Sequence, residues 1–153
     1  MTRRSALDSL LTRARSQIER VRPRAASAAI DAGAMLVDIR PEFQRRADGE
    51  VPGAIVIERN HLEWRLHPSS AGRIAEACDL DTRWIVICDE GYSSLLAAAS
   101  LRAIGLGAAT DVVGGFRAWR AARLPVVKRR TPTAARMAPP ARMRRRRQPR
   151  GSA

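Results

Sequence analysis

The spacing of apolar side chains predicts that helices and strands alternate along most of the chain. Between residues 5 and 21, leucine, alanine, isoleucine and valine recur every three or four positions with arginines between them, which is typical of an amphipathic helix. Four short apolar runs predict buried strands: residues 35–39, 54–57, 84–87 and 110–113. The segments between them predict short helices or helical turns: residues 25–31, 41–46, 71–77, 95–104 and 116–122. We therefore expect one α/β domain, a parallel sheet flanked by helices on both faces, with ligands bound at the carboxyl ends of the strands.

Serines stand where two of these helices are predicted to begin. Ser69 or Ser70 is expected to cap the helix at 71–77, and Ser93 or Ser94 the helix at 95–104. The second helix follows the apolar strand at 84–87 after only a short loop, so its start is expected to lie at the edge of the sheet.

Positive charge is distributed unevenly along the 153 residues. The formal net charge is +13, yet residues 126–153 contain ten basic residues and no acidic one, so the rest of the chain is close to balanced. The same segment has four prolines and few large apolar side chains, a composition that cannot build a core. We predict an N-terminal helical segment packed on the domain (1–33), a folded domain (34–126) and a disordered Arg/Pro-rich tail (127–153).

The tail and the arginine content carry little information about recognition. The tail is predicted to make at most weak, salt-dependent contact with a polyanion, because no aromatic residue is interleaved for stacking. The chain has 27 arginines and one lysine, which indicates the codon usage of a GC-rich bacterial genome rather than selection of each arginine for binding.

The cellular location is expected to be the cytoplasm. No apolar run approaches the roughly 20 residues that span a bilayer, and Ser5 and Asp8 interrupt the N-terminus where a signal peptide needs an unbroken apolar stretch. Two cysteines, Cys78 and Cys88, are too few for a disulfide scaffold, so both are expected to be thiols. The pattern does not predict an oligomeric state.

Candidate chemistry concentrates between Cys88 and Ser94. The strand at 84–87 delivers Cys88 to the sheet edge, and the next helix begins about six residues later. Backbone N–H groups of such a short loop, together with a helix N-terminus, favour a thiolate or persulfide over a neutral thiol. Asp89 and Glu90 oppose this effect, and Gly91 suits a position of positive φ or close approach to an anion.

This segment resembles the active-site loop of the rhodanese-like domain family, which has the form Cys-x-x-Gly-x-[Arg, Thr or Ser]. Cys88, Gly91 and Ser93 match that form, and Ser94 matches the small residue that follows. Other family motifs occur in the expected order: Leu36 to Arg40, Gly49 to Ala54, Gly114 to Trp119, and Leu124 to Val126.

The resemblance implies a single-domain sulfurtransferase. Cys88 would accept a sulfane sulfur as a persulfide, from thiosulfate or an organic persulfide, and pass it to a thiol or cyanide-like acceptor. The resemblance assigns the binding of the sulfur to the loop: Asp89, Glu90, Gly91, Tyr92, Ser93 and Ser94. Because family members that favour thiosulfate tend to have basic residues after the cysteine, the two carboxylates here predict poor use of that dianion.

Positive charge for the site could come from Arg59, which follows the strand at 54–57 and should open onto the same face as Cys88. A surface or ion-paired arginine is the other interpretation of Arg59. Arg40 is expected to pair structurally with an acidic residue.

Other functions fit the residues less well than a sulfurtransferase does. A phosphatase needs an arginine in the cysteine loop, and the nearest downstream arginine is Arg102. Cys78 is expected to be a buried thiol in the helix at 71–77, with a resolving partner for Cys88 as the alternative. The histidines, His61 and His67, have no ligand spacing, so neither a metal nor a cofactor is predicted. The remaining alternative is an inactive rhodanese-like module that binds a partner or senses redox state.

Overall fold

Four parallel strands form the centre of the protein. The structure is a computed structural model, and it describes residues 5–128. The strands are β1 (Met35–Asp38), β2 (Ile55–Val56), β3 (Trp84–Ile87) and β4 (Thr110–Asp111), in the spatial order β2-β1-β3-β4. β1 and β3 pair along their whole length. The predicted parallel α/β sheet is confirmed, although β2 and β4 are shorter than the apolar runs that predicted them.

Helices cover both faces of this sheet, as expected. The described residues form α1 (Ala6–Gln17), α2 (Pro23–Asp31), α3 (Glu42–Asp48), α4 (Leu62–Leu66), α5 (Ser93–Ala103) and α6 (Gly115–Ala121). Side chains of a strand point alternately to its two faces, so Val37 and Val86 pack with α4 and α5, whereas Leu36 and Ile85 pack with α2 and α6. All of the β3 side chains are fully buried, because this central strand has helices above and below it.

The helix predicted at 71–77 is wrong, and a helix that was not predicted precedes it. A 3-10 turn at Arg59–His61 leads into α4, and the chain from 67 to 83 consists of turns and extended segments. The Ser70 hydroxyl accepts a hydrogen bond from the N–H of Gly72 two residues later. This local turn competes with helix formation, and Gly72 lowers the helix propensity of the segment further.

The first helix ends earlier than its apolar spacing predicted. A Ser5–Asp8 capping box begins α1, and the helix stops at Gln17 because Ile18 adopts an extended backbone conformation. Ile18 remains buried, against α5. Beyond it, Val21 makes a parallel bridge to Val112, next to β4. The segment after α1 therefore runs beside the edge of the sheet.

The order of the strands places a cleft at their carboxyl ends. From β1 the chain moves outward to β2, and from β3 it moves outward in the opposite direction to β4. The connections diverge at the boundary between β1 and β3, and such switch points leave an opening above the sheet. Residues 39–41 and 88–90 leave the sheet there.

The predicted Arg/Pro-rich tail begins at residue 127, near the end of the described residues. The predicted tail lies outside the described residues from residue 129 onward, whereas Val127 exchanges two backbone hydrogen bonds with Glu50. Across the described range, none of the helices has both the length and the apolar character needed to cross a membrane.

Candidate functional site

Cys88 lies directly after β3, at the base of the cleft. Only 7% of the residue is exposed. The backbone N–H groups of Gly91 and Ser94 donate to its Sγ at 3.1 and 3.3 Å, and the Ser94 Oγ lies 3.2 Å from the same sulfur. The loop thus curls around the sulfur, and its N–H groups supply positive potential where a sulfur anion would sit.

The loop is held in this shape by the first residues of α6. The N–H of Phe116 donates to the carbonyl of Cys88 at 2.8 Å, and the N–H of Arg117 donates to the carbonyl of Asp89 at 3.1 Å. Gly91 has φ +91°, and a Cβ built on it would lie 2.8 Å from the Gly114 nitrogen. Glycine at position 91 therefore allows the two backbones to touch.

The cleft has a volume of about 430 Å³ and is lined by the segments that follow β1, β2 and β3. It contains most of the loop side chains that were expected to bind substrate. Its lining includes Arg40, Gln44, Arg59, Cys88, Asp89, Glu90, Tyr92 and Ser93. Gly91 and Ser94 instead form the floor of the loop, where both are buried.

The acidic residues of the loop are paired with an arginine that sequence reasoning missed. Arg117 Nε donates to the Asp89 carboxylate at 2.8 Å, and its Nη2 lies 3.4 Å from Glu90. The hydrogen bond and charge of Asp89, followed by the charge of Glu90, raise the pKa of Arg117. Arg117 is 28 positions from Asp89, so no local spacing reveals the contact. Its place in the closing motif was the available signal, because that motif packs on the loop.

Arg59 reaches the cleft while engaged in an ion pair. Its Nη1 lies 2.6 Å from the carboxylate of Glu63, which also accepts a hydrogen bond from Ser100. Burial raises the pKa of Glu63, but hydrogen bonds from its own backbone, Ser100 and Arg59 outweigh that effect and leave the pKa below its ordinary value of 4.5. Both interpretations of Arg59 therefore have a basis in the geometry: it lines the cleft, and it is ion-paired.

Arg40 makes the structural pair that was expected. Its guanidinium binds both oxygens of Asp38 and the carbonyl of Gly49, and it stacks 3.7 Å from the ring centre of Phe116. Both side chains of the ion pair are fully buried. Arg40 thus joins β1, the loop before β2 and α6 beneath the cleft.

Ser94 does not have the role of a helix cap, and neither does Ser93. The cap position of α5 is Tyr92, without a side-chain cap. The Ser94 hydroxyl donates to Asp111 at 2.7 Å, and Asp111 forms an ion pair with Arg20. Arg20 also donates to the carbonyl of Gly91. These two charged residues come from distant segments, and no pattern along the chain indicates their contact.

The prediction of a buried Cys78 is wrong. Cys78 is exposed and its thiol donates to the carbonyl of Ala75, since the predicted helix is absent and Ala77 occupies the buried position. Residues 5–128 contain no group of three or more His, Cys, Asp or Glu side chains placed to hold a metal ion.

The sequence and the fold are similar to those of known proteins. The family model of the rhodanese-like domain matches residues 22–122. Thiosulfate sulfurtransferase GlpE of Pseudomonas savastanoi pv. phaseolicola is 37% identical over 106 residues, which are 69% of this chain and 91% of that protein.

Two solved structures have the same fold. The human single-domain sulfurtransferase is 28% identical with a TM-score of 0.56, over 67% of this chain and 95% of its own. A Rhodopseudomonas palustris protein of unknown function, described as a possible tyrosine phosphatase, is 30% identical with a TM-score of 0.73, over 83% of this chain and 98% of its own. The family match, the identity to GlpE and the loop at Cys88 agree, and the chain belongs to the rhodanese-like domain family.

Proposed function

We propose that this protein is a rhodanese-type sulfurtransferase that carries a sulfane sulfur on Cys88. The observation that carries the proposal is the pair of backbone N–H groups, from Gly91 and Ser94, that donate to the Cys88 Sγ at the base of an open cleft. Such donors stabilise charge on sulfur without any movement during the reaction. The relatives named sulfurtransferases support the same chemistry.

The reaction has two displacements at sulfur. The Cys88 thiolate attacks the sulfane sulfur of the donor, a new S–S bond forms at Sγ, and the donor's own bond to that sulfur breaks with its electron pair. The leaving group is sulfite from thiosulfate, or a thiolate from an organic persulfide. An acceptor thiolate or cyanide then attacks the terminal sulfur and releases the Cys88 thiolate.

The other residues of the loop are assigned to binding of the transferred sulfur. We infer that backbone N–H groups of Asp89, Glu90, Tyr92 and Ser93 bind the terminal sulfur, and that the Ser93 hydroxyl adds a donor at the cleft. Arg59 lines the same cleft, where its charge attracts an anionic donor even though Glu63 offsets part of it. In this assignment Arg59 raises the rate at which the donor reaches the cleft, and the loop stabilises the persulfide.

The donor is either thiosulfate or an organic persulfide. Asp89 and Glu90 repel a small dianion, but their pairing with Arg117 reduces that repulsion relative to two free carboxylates. A donor with a larger organic group also fits a cleft of about 430 Å³. We therefore expect both donors to load Cys88, with the organic persulfide loading faster.

The experiment that tests the proposal is intact-mass analysis after incubation with thiosulfate, a mercaptopyruvate-type donor or glutathione persulfide. One sulfur adds about 32 Da, and the adduct should disappear in Cys88→Ser. Cys78→Ser is the matched control, because Cys78 is the other cysteine and is exposed, so that variant should still be loaded. If none of the donors loads the protein, it is an inactive rhodanese-like module and the enzyme proposal is wrong.

A further inference from the structure

A continuous path of polar contacts connects Cys88 to the N-terminal segment. Arg20 donates to both carboxylate oxygens of Asp111, at 2.7 and 2.9 Å. One of these oxygens accepts the Ser94 hydroxyl at 2.7 Å, and the Ser94 Oγ lies 3.2 Å from the Cys88 Sγ. Asp111 and Ser94 are fully buried. Water therefore has little access to the contact between Asp111 and Ser94.

The geometry determines which way the Ser94 hydroxyl points. A serine has one hydroxyl hydrogen and two acceptor lone pairs, so the hydrogen can be given either to Asp111 or to sulfur. A carboxylate is a strong, charge-assisted acceptor, whereas the sulfur of a thiol is a weak one. The hydrogen therefore goes to Asp111, and the Ser94 oxygen faces Cys88, where it can accept the thiol hydrogen.

We propose that Asp111 is a positioning residue that controls Cys88 through the Ser94 hydroxyl. In the resting protein Asp111 holds the hydroxyl in the orientation that favours the thiol. When Cys88 loses its proton to solvent, the hydroxyl turns and donates to the sulfur anion. Ser94 keeps its own proton throughout, so no oxidant, reductant or additional base is needed.

Arg20 makes this change of orientation possible. When Ser94 turns away, Asp111 is still bound through both oxygens to the Arg20 guanidinium, so the buried carboxylate is not left without a partner. Arg20 also holds the active-site loop through the carbonyl of Gly91. It precedes residues 22–122, the part of the chain that matches the family model. The inference rests on the proposed role of Cys88 as the sulfur carrier.

Other charged side chains around Cys88 form a constant background. Asp89 and Glu90 lie on the loop with Arg117 against them, and Arg59 and Arg40 line the cleft. They act on the sulfur through space whether or not Asp111, Ser94 or Arg20 is substituted. A role that passes through the Ser94 hydroxyl must therefore be separated from a plain effect of charge.

The test is a double-mutant cycle on the reactivity of Cys88. All variants carry Cys78→Ser, because the exposed Cys78 would also react, and the rate of Cys88 alkylation by iodoacetamide is followed by mass across a range of pH. Asp111→Asn should move the midpoint of this pH profile down by about one unit, the size of effect of one hydrogen bond to an ionised group. In a protein that already carries Ser94→Ala, adding Asp111→Asn should move the midpoint much less.

Two further variants separate the proposal from structural damage. Arg20→Gln should move the midpoint up, because Asp111 then holds the Ser94 hydroxyl more tightly, and general damage would move the Arg20 and Asp111 variants in the same direction. Ser94→Thr, which keeps a hydroxyl, should restore the response to Asp111→Asn. Thermal melts by circular dichroism check that each variant is folded.

The outcomes that overturn the proposal are specific. If Asp111→Asn shifts the midpoint equally with Ser94 intact and with Ser94→Ala, Asp111 acts only through space. No shift from Asp111→Asn, or shifts of the same sign from Arg20→Gln and Asp111→Asn, would also refute the proposal. Alkylation needs no sulfur donor, so the result is independent of whether any donor loads Cys88.

Discussion

Replacing Gly91 with alanine tests whether close contact between two backbones shapes the sulfur-binding loop. Gly91 has φ +91°, which glycine adopts freely and alanine does not. Gly33 and Gly53 have similar angles, +106° and +76°, but an added Cβ at either position meets no atom within 4 Å. Gly33→Ala and Gly53→Ala are therefore matched controls: they introduce the same backbone strain without the contact.

The structure sets the size of the expected effect. Positive φ costs a residue with a side chain about 1–2 kcal/mol of folding free energy, and all three variants should lose this amount. At Gly91 the new Cβ would lie 2.8 Å from the Gly114 nitrogen, whereas ordinary contacts begin at 3.4 Å. The loop must retreat by roughly half an ångström, and a displacement of that order at a reacting group costs about tenfold in rate. The Gly91 N–H, which donates to the Cys88 Sγ at 3.1 Å, is displaced with it.

Two measurements separate strain from displacement. Urea denaturation gives the free energy of unfolding, and sulfur transfer from glutathione persulfide gives kcat/KM. Gly33→Ala and Gly53→Ala should be less stable but transfer sulfur at the rate of the unmodified protein. Gly91→Ala should be less stable than either and at least about tenfold slower. If Gly91→Ala matches the two controls in both measurements, the contact with Gly114 does not shape the loop.

Four further predictions concern charged groups and the C-terminal segment. Arg117→Ala should lower kcat/KM for the dianion thiosulfate more than for a monoanionic alkyl persulfide, because Asp89 loses its partner; high salt should reduce the contrast, and an equal loss for both donors would contradict the reasoning. Arg40→Met should lower the free energy of unfolding in urea by about 3–5 kcal/mol, since it leaves a buried carboxylate unpaired, and a loss below about 1 kcal/mol would be inconsistent with that. The pKa of Glu63 is lowered in the folded protein, so its contribution to stability is present above pH 4.5 and is lost as the pH falls through the folded pKa. Glu63→Gln should therefore flatten the fall of Tm below pH 4.5, and an unchanged slope would argue against it. Deletion after Val127 should leave sulfur transfer unchanged, and a large loss would give the C-terminal segment a role in the reaction.

The fold could be predicted because its central strands are strongly apolar and short. Residues 84–87 are buried on both faces, so the sequence there is continuous in apolar residues, and its β-branched side chains favour a strand. The segment from 59 to 83 has no such constraint. Its helix α4 has five residues, too few for a clear helical period, and the turn at Ser70 and Gly72 prevailed over the apparent helix at 71–77.

The candidate site was predictable as a loop but not as a charge distribution. Spacing placed Cys88 and Gly91 between a strand and the following helix, and the resemblance to the rhodanese-like domain family identified them as a site. The counter-charges, Arg117 and Arg20, reach the loop from 28 and 71 positions away, and only the folded sheet brings them there. An acidic loop in a sequence is therefore not evidence of an acidic site.

The bridge between Val21 and Val112 has a consequence for the solubility of shortened forms of this protein. Strands at the edge of a sheet carry unpaired N–H and C=O groups that can recruit a strand from another molecule. At β4 this edge is covered, because Val21 accepts a hydrogen bond from the N–H of Val113 and donates to the carbonyl of Asp111. A form of the protein that begins after Val21 would expose that edge, and we expect it to self-associate through intermolecular β-pairing.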